Sequence, residues 1–306
     1  MGAVFLGTPA AAVPSLAALA DVEDVDLVVA QPDRPKGRGG AIVRGAVAQA
    51  ADQFGFPVAQ PATADELLDT LGDQTFAFGL VVAYGRILTP AMLGSTGRGF
   101  LNVHFSLLPR WRGAAPVERA IAHGDERTGV TLMRIDESLD TGPVLGEIAT
   151  PIGADETGGS LTARLSFLGA ALVDRTLPEY LAGRRTPVPQ IDANTSHAKT
   201  LSKAEARLDP GWSALQAERT VRAFTPRPGT WMATPDGPLK VWEARHSAAE
   251  VLPGVIAKSG RDVVAGFSDG SLELVRVQSS GKGVLRAADW MNGRRGEPSS
   301  FVPEEE

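Results

Sequence analysis

Short apolar runs, each cut off by glycine, proline or a polar pair, alternate with stretches of helical spacing along the first two thirds of the chain. Ala3 to Leu6 is apolar and breaks at Gly7-Thr8-Pro9, which predicts a buried strand turning into a helix through Pro14-Ser15-Leu16 to about Ala20. Val25 to Ala30 predicts a second buried strand, Ile42 to Phe54 a helix, Pro57 to Gln60 a short strand and Ala64 to Leu71 a helix. Phe76 to Ala83 predicts a strongly apolar strand, Val117 to His123 a short helix, Gly129 to Ile135 an alternating strand and Leu161 to Ala182 a long helix. Strands alternating with helices in this way predict an α/β fold whose mostly parallel sheet is covered on both faces.

The pattern changes after Gly183. Gly183 to Asp209 is polar and contains Pro187 and Pro189, which predicts a linker. Beyond it, Trp212 to Arg222 has amphipathic helical spacing, and short strands are expected around Leu239 to Glu243, Gly254 to Ala257, Asp262 to Ala265 and Leu272 to Val277. Several short strands with glycine-containing turns predict a small β-barrel. The expected organisation is a domain over residues 1–188, a linker over 189–208 and a β domain over 209–306.

The stretch richest in candidate chemistry is FLNVHFSLLPRWRGAA, from Phe100 to Ala115. Alternation puts Leu101, Val103 and Phe105 on one face of a strand and Asn102 and His104 on the other. Pro109 and Gly113 end strand pairing at about Ser106, so the two polar side chains stand at a strand's carboxyl end, where open α/β sheets bind ligands. A lone strand histidine is more often a hydrogen-bonded bystander, and the Asp140-Thr141-Gly142-Pro143 turn admits two readings. Asp140 is either a turn former bonded to its own backbone or a carboxylate aimed at His104, and spacing leaves both open.

Composition narrows the function. Hydrophobic residues make up 43% and charged residues 22%, as in ordinary globular proteins. The net charge of −6 argues against holding nucleic acid by overall charge, so any such contact needs local cations. The segment Gln31 to Gly40, QPDRPKGRGG, is the clearest local cluster: it is either a solvated charged loop or a cationic finger for phosphates. Zero cysteines exclude disulfides and thiolate metal sites, and the histidines at 104, 123, 197 and 246 show no metal-binding pairing. No metal is therefore expected. No run approaches about 18 apolar residues and the N-terminus does not resemble a secretion signal, so no membrane span is expected. Gly7-Thr8-Pro9 is not a dinucleotide-binding turn.

His104, SLLP at 106 to 109, RGAAP at 112 to 116 and LDTG at 139 to 142, in this order, resemble the folate-dependent formyltransferases. FLGTP, VPSL and QPDRPKGRG extend the resemblance to the members whose acceptor is methionyl-tRNA. The resemblance implies a Rossmann-like catalytic domain followed by an OB-like barrel, 10-formyltetrahydrofolate as formyl donor and initiator methionyl-tRNA as acceptor. It implies that Asn102, His104 and Asp140 are catalytic, and that Ser106, Leu107, Leu108 and Pro109, with Gly7, Thr8 and Pro9, lie against the folate. It places tRNA contact at Arg34, Lys36, Arg38 and Lys203, in a cytoplasmic, monomeric enzyme. Formyl transfer passes through a tetrahedral oxyanion, for which Asn102 and a ring N–H of His104 are the expected donors. Competing readings are a small acceptor such as an amino sugar or glycinamide nucleotide, and a non-catalytic tRNA-binding protein. A Ser106/His104/Asp140 hydrolase is the third, against which stands the lack of a GxSxG elbow.

Overall fold

The structure, a computed structural model, describes residues 1–36 and 41–303. Packing divides it into two units. The first comprises Met1–Pro116, Arg127–Pro151 and Thr162–Ala198; the second comprises Val117–Glu126, Ile152–Leu161 and the described chain from Lys199 on. The longer helices are α1 (Val13–Val22), α2 (Ala46–Phe54), α3 (Ala64–Gly72), α4 (Pro116–His123), α5 (Gly158–Leu181), α6 (Ala214–Ala223) and α7 (Ala287–Gly293).

The first unit is built on seven strands: β1 (Ala3–Gly7), β2 (Val25–Val29), β3 (Val58–Ala59), β4 (Phe78–Val82), β5 (Phe100–His104), β6 (Arg127–Arg134) and β7 (Val144–Pro151). Their spatial order is β7-β6-β5-β4-β1-β2-β3; β1 to β5 are parallel, and β6 and β7 run antiparallel to their neighbours. All residues of β1 and β4 are buried, which is why both are uninterrupted apolar runs. Val4, Leu6, Leu27, Val29, Val81 and Phe100 share one cluster with Leu67 and Leu71 of α3. On the opposite face α5 lies so close that a Cβ on Gly169 would stand 2.8 Å from Val103 Cγ1. Pairing of β5 ends at His104, two residues before the predicted stop.

Three sequence expectations change. Ile42 to Phe54 is not one helix: Ala41–Val43 pairs antiparallel with Arg34–Lys36, and α2 starts only at Ala46. The break falls at Gly45, whose extended backbone and N–H are held by Asp33 Oδ1 at 3.2 Å. Arg34–Lys36 of the cationic segment thus form one arm of a two-stranded ribbon, and Arg38 lies outside the described residues. Strand β7 had no counterpart in the hydrophobic pattern, because only Leu145 among its residues is buried. Finally, residues 183–198 do not form a free linker: Val188 pairs with Val144, and His197–Ala198 pairs with Arg112–Gly113. The bonds that dock this polar stretch run to backbone atoms and to the Arg112 guanidinium, and these leave no hydrophobic signature.

The second unit carries β8 (Thr230–Thr234), β9 (Gly237–Ser247), β10 (Val255–Ser259), β11 (Asp262–Phe267), β12 (Gly270–Ser279) and β13 (Ser299–Ser300), in the order β8-β9-β12-β11-β10-β13 and antiparallel throughout. The sheet curls until Val302 N, just past β13, donates to Ala233 O of β8 at 3.2 Å, giving the OB-like half-barrel expected. Its core holds Leu239, Val241, Ile256, Phe267, Leu274 and Phe301, with Ala217 and Val221 of α6. The start of α6 is fixed by Ser213, whose Oγ accepts from Gln216 N at 3.0 Å.

Candidate active site

At the carboxyl end of β5 the polar face of the strand opens. Asn102, opposite Val81 on one side and Met133 on the other, is half-buried, and its side-chain amide bonds to no described residue. His104 is 6% exposed, and its Nε2 lies 2.9 Å from Trp111 O. A carbonyl only accepts, so this contact assigns the proton to Nε2 and leaves Nδ1 with the free lone pair. Nδ1 is 3.7 Å from Asp140 Oδ2, and that oxygen also accepts from Gly113 N at 2.8 Å. His104 and Asp140 therefore meet, and Asn102 lies two residues before His104 on the same face of β5. One expectation changes in detail: Nε2–H is engaged by Trp111, so the ring nitrogen available to a substrate is Nδ1.

Local chemistry explains the turns. Ser106 Oγ donates to Arg110 O at 2.6 Å, Leu108 N donates to Thr131 Oγ1 at 3.2 Å, and that hydroxyl donates to Ser106 O at 2.7 Å. The serine is 1% exposed and closes its own turn, a poor posture for a nucleophile. Ser106 and Leu108 are buried, which leaves Leu107 and Pro109 as the half-buried members of SLLP. Gly113 is at φ +122 with Ala198 O 2.6 Å from where a Cβ would be, so the RG turn tolerates no larger residue.

Gly7 ends β1 and Thr8 and Pro9 follow it, two strands from β5 and hence about 10 Å away along the sheet. Thr8 Oγ1 donates to Tyr84 O at 3.1 Å and receives Gln31 N at 3.4 Å, tying together the ends of β1, β2 and β4. Burial pushes the Tyr84 hydroxyl above its usual range, with Arg86 opposing the shift. A cavity of about 440 Å³ that the motifs did not indicate is lined by Pro90, Leu93, Ile135, Asp136, Glu137 and Pro143, flanking the Asp140 turn. Among the described residues no cluster of three metal-ligating side chains occurs, and no helix is long and apolar enough to cross a membrane.

Of the expected tRNA contacts, Arg34 is exposed on the ribbon that ends at Lys36, and Lys203 is exposed in the second unit. Lys203 lies in a turn, so Lys199 and Lys203 do not share a helical face. The ribbon's base is clamped by Arg44, which bonds Asp52 Oδ1 at 2.8 Å and Gln60 Oε1 at 3.1 Å and lies 3.8 Å from Asp33. The Gln60 amide, bonded to Asp33 Oδ1 at 2.7 Å, holds that carboxylate below its usual range.

A parallel sheet with an unbonded amide, an imidazole and a carboxylate at one strand end fits a group-transfer enzyme, and the comparisons give its class. The formyl transferase model matches residues 3–177 and the formyl transferase C-terminal domain model residues 200–295, so the chain belongs to the formyl transferase family. Among its relatives is the methionyl-tRNA formyltransferase of Halorhodospira halophila, 47% identical over 96% of this chain and 98% of that one. Another is the methionyl-tRNA formyltransferase of Myxococcus xanthus, 44% identical over 97% and 96%. The fold is shared with HypX from Aquifex aeolicus in complex with tetrahydrofolic acid (TM-score 0.68, 16% identity, 100% of this chain and 52% of that one). It is shared also with an N-formyltransferase from Helicobacter canadensis in complex with folinic acid and dTDP-3-aminofucose (TM-score 0.68, 15% identity, 89% and 98%).

Proposed function

We propose that this chain transfers the formyl group of 10-formyltetrahydrofolate to the free amino group of initiator methionyl-tRNA, giving N-formylmethionyl-tRNA for translation initiation. The observation that carries the chemistry is the approach of His104 Nδ1 to Asp140 Oδ2, 3.7 Å apart, on the strand face that also bears the unbonded Asn102 amide. Near end-to-end similarity to relatives of that name supports the acceptor.

The amine attacks the formyl carbon, a C–N bond forms, and the carbonyl oxygen becomes an oxyanion that accepts from the Asn102 amide. The surplus amine proton passes to His104 Nδ1, whose resulting cation is balanced by Asp140. Collapse breaks the bond to N10 of the folate, which leaves with the proton returned by His104. Trp111 O, holding Nε2–H, keeps the ring in the tautomer this requires. The cavity beside the Asp140 turn supports a seat for the donor's ring system, and Leu107, Pro109 and the Gly7-Thr8-Pro9 turn supply its further contacts to the folate. Arg34, Lys36, Arg38 and Lys203 meet tRNA phosphates, a task no small acceptor would demand of a protein with net charge −6. The enzyme works as a monomer in the cytoplasm, where donor and charged tRNA occur together.

The test is an assay of purified protein with 10-formyltetrahydrofolate and, in parallel, initiator methionyl-tRNA, free methionine, a nucleotide-linked amino sugar and glycinamide nucleotide. Formylation of the tRNA alone is expected. Preference for any small amine, or tight tRNA binding without transfer, overturns the assignment.

A further inference from the structure

Two residues beside His104 hold the left-handed backbone that non-glycine residues avoid: Trp111 at φ +62 and Asp140 at φ +53. Each is fastened by residues 185–198, the stretch whose sequence predicts only a linker. Trp111 N donates to Ser196 Oγ at 2.9 Å, and Arg112 N to Ser196 O at 2.9 Å. On the other side Arg185 donates to Leu145 O at 2.6 Å, and Val188 exchanges backbone bonds of 2.8 and 2.7 Å with Val144.

Gln190 stands where these fastenings meet. Its Oε1 accepts from Arg112 Nε at 3.2 Å and from the terminal guanidinium nitrogen at 2.7 Å, while its Nε2 donates to Asp140 O at 2.9 Å and to Gly142 O at 2.8 Å. The amide orientation is not ambiguous, because a guanidinium only donates and a carbonyl only accepts. All four bonding positions of the amide are thereby used. Arg112 is 7% exposed, with Asp192 Oδ1 at 2.8 Å as its carboxylate partner.

We propose that Gln190 is a positioning residue for catalysis: it joins the turn that fixes the His104 ring to the turn that presents Asp140, and so sets the separation of Nδ1 and Oδ2. The inference rests on the reading of His104 and Asp140 given above. The chain of contacts is continuous. Trp111 O holds Nε2 of the ring, Gly113 N holds the carboxylate, and Arg112 between them is bonded to the amide that grips the Asp140 carbonyl. Gly142 adds to the closure, since a Cβ there would lie 1.8 Å from Arg134 O. Among the described residues no other donor holds the carbonyls of Asp140 and Gly142, so without the amide the left-handed Asp140 is free to relax away from the imidazole. Gln190 itself touches neither ring nor carboxylate, so its effect is on turnover rather than on binding.

The test compares Gln190→Ala and Gln190→Glu for kcat, for KM toward both substrates and for thermal midpoint. Glutamate keeps the acceptor for Arg112 but turns two donors into acceptors that face two carbonyls. Expected is a fall in kcat of about 10- to 100-fold for both variants, the loss typical of a misplaced catalytic group, with each KM within about threefold of the parent. Gln190→Ala placed in an Asp140→Ala background should cost less than about threefold more, because both act through one carboxylate. Parental kcat in Gln190→Ala, recovery of kcat in Gln190→Glu, or losses that multiply in the double variant overturns the proposal. Equal rises in KM with kcat unchanged also overturn it. If Gln190→Ala does not fold, Gln190→Met, of the same length, takes its place with the same outcomes. Parental turnover in Asp140→Ala overturns the catalytic reading itself, and this inference with it; a slow Asp140→Ala beside a normal Gln190→Ala overturns this inference alone.

Discussion

Asn102 and His104 share a strand face, yet their substitutions should differ in kind. Asn102→Ala removes only an oxyanion donor, and a loss of about 100- to 1000-fold in kcat at unchanged protein stability is expected. His104→Ala removes the proton acceptor together with the group that Trp111 O and Asp140 face, so it should lose at least as much and lower the thermal midpoint besides. Steady-state kinetics and thermal midpoints of the two variants, measured side by side, check this. Glu118 on α4 offers a contrast, being a charge placed for no visible chemistry. Burial raises its pKa, with its own backbone and Arg119 opposing the shift, and the would-be Cβ of Gly158 lies 3.3 Å from its Cγ. An acid raised on folding costs stability where it is ionised, above its folded pKa, and costs nothing below the ordinary glutamate value of about 4.3. Glu118→Gln should therefore stabilise the protein at pH 8 by on the order of 1 kcal/mol, and thermal midpoints of the two proteins should meet in mild acid.

Among the elements, the ribbon over Arg34–Lys36 and Ala41–Val43 depends on its base. The Arg44–Asp52 pair is half-exposed, and such pairs contribute about 0 to 1 kcal/mol to stability. Arg44→Ala should thus leave the thermal midpoint nearly unchanged while raising KM for methionyl-tRNA several-fold, with KM for the formyl donor unaffected; equal changes in both would count against the ribbon as an RNA contact. The elements also differ in how visible they were beforehand. Strands β1, β4 and β5 were legible because burial on both faces, or on all but Asn102, requires near-continuous apolar sequence. Strand β7 was not, since Gly146, Glu147 and Ala149 dilute a strand that buries only Leu145. The ribbon hid behind Pro35 and an Ile42 that is 74% exposed, features that usually mark loops. Asn102 and His104 could be placed together from alternation alone, whereas Asp140 reaches them through the reversal from β5 into β6 and the turn after it, which no local spacing encodes. Gln190 and Ser196 work through side chain to backbone bonds, so a reading of hydrophobic period passes over them.

At the level of the molecule, the net charge of −6 repels RNA on average, and association has to rely on a few well-placed cations. Affinity for methionyl-tRNA should accordingly fall steeply with salt, by about 0.7 to 0.9 log units per decade of salt for each phosphate contact, and Arg34→Ala should lower that slope by about one contact's worth. Measuring KM for tRNA across a salt series in both proteins checks this, and an unchanged slope would remove Arg34 from the interface. The second unit takes Val117–Glu126 and Ile152–Leu161 from the middle of the chain as well as the stretch from Lys199 onward, and Val117, Ile121 and Leu161 within those two inserts are buried. A gene for such a protein has no seam. Recombination that grafts the distal portion from a relative must bring two short upstream inserts with it or divide a single packing unit, so the halves are expected to have been inherited as one piece.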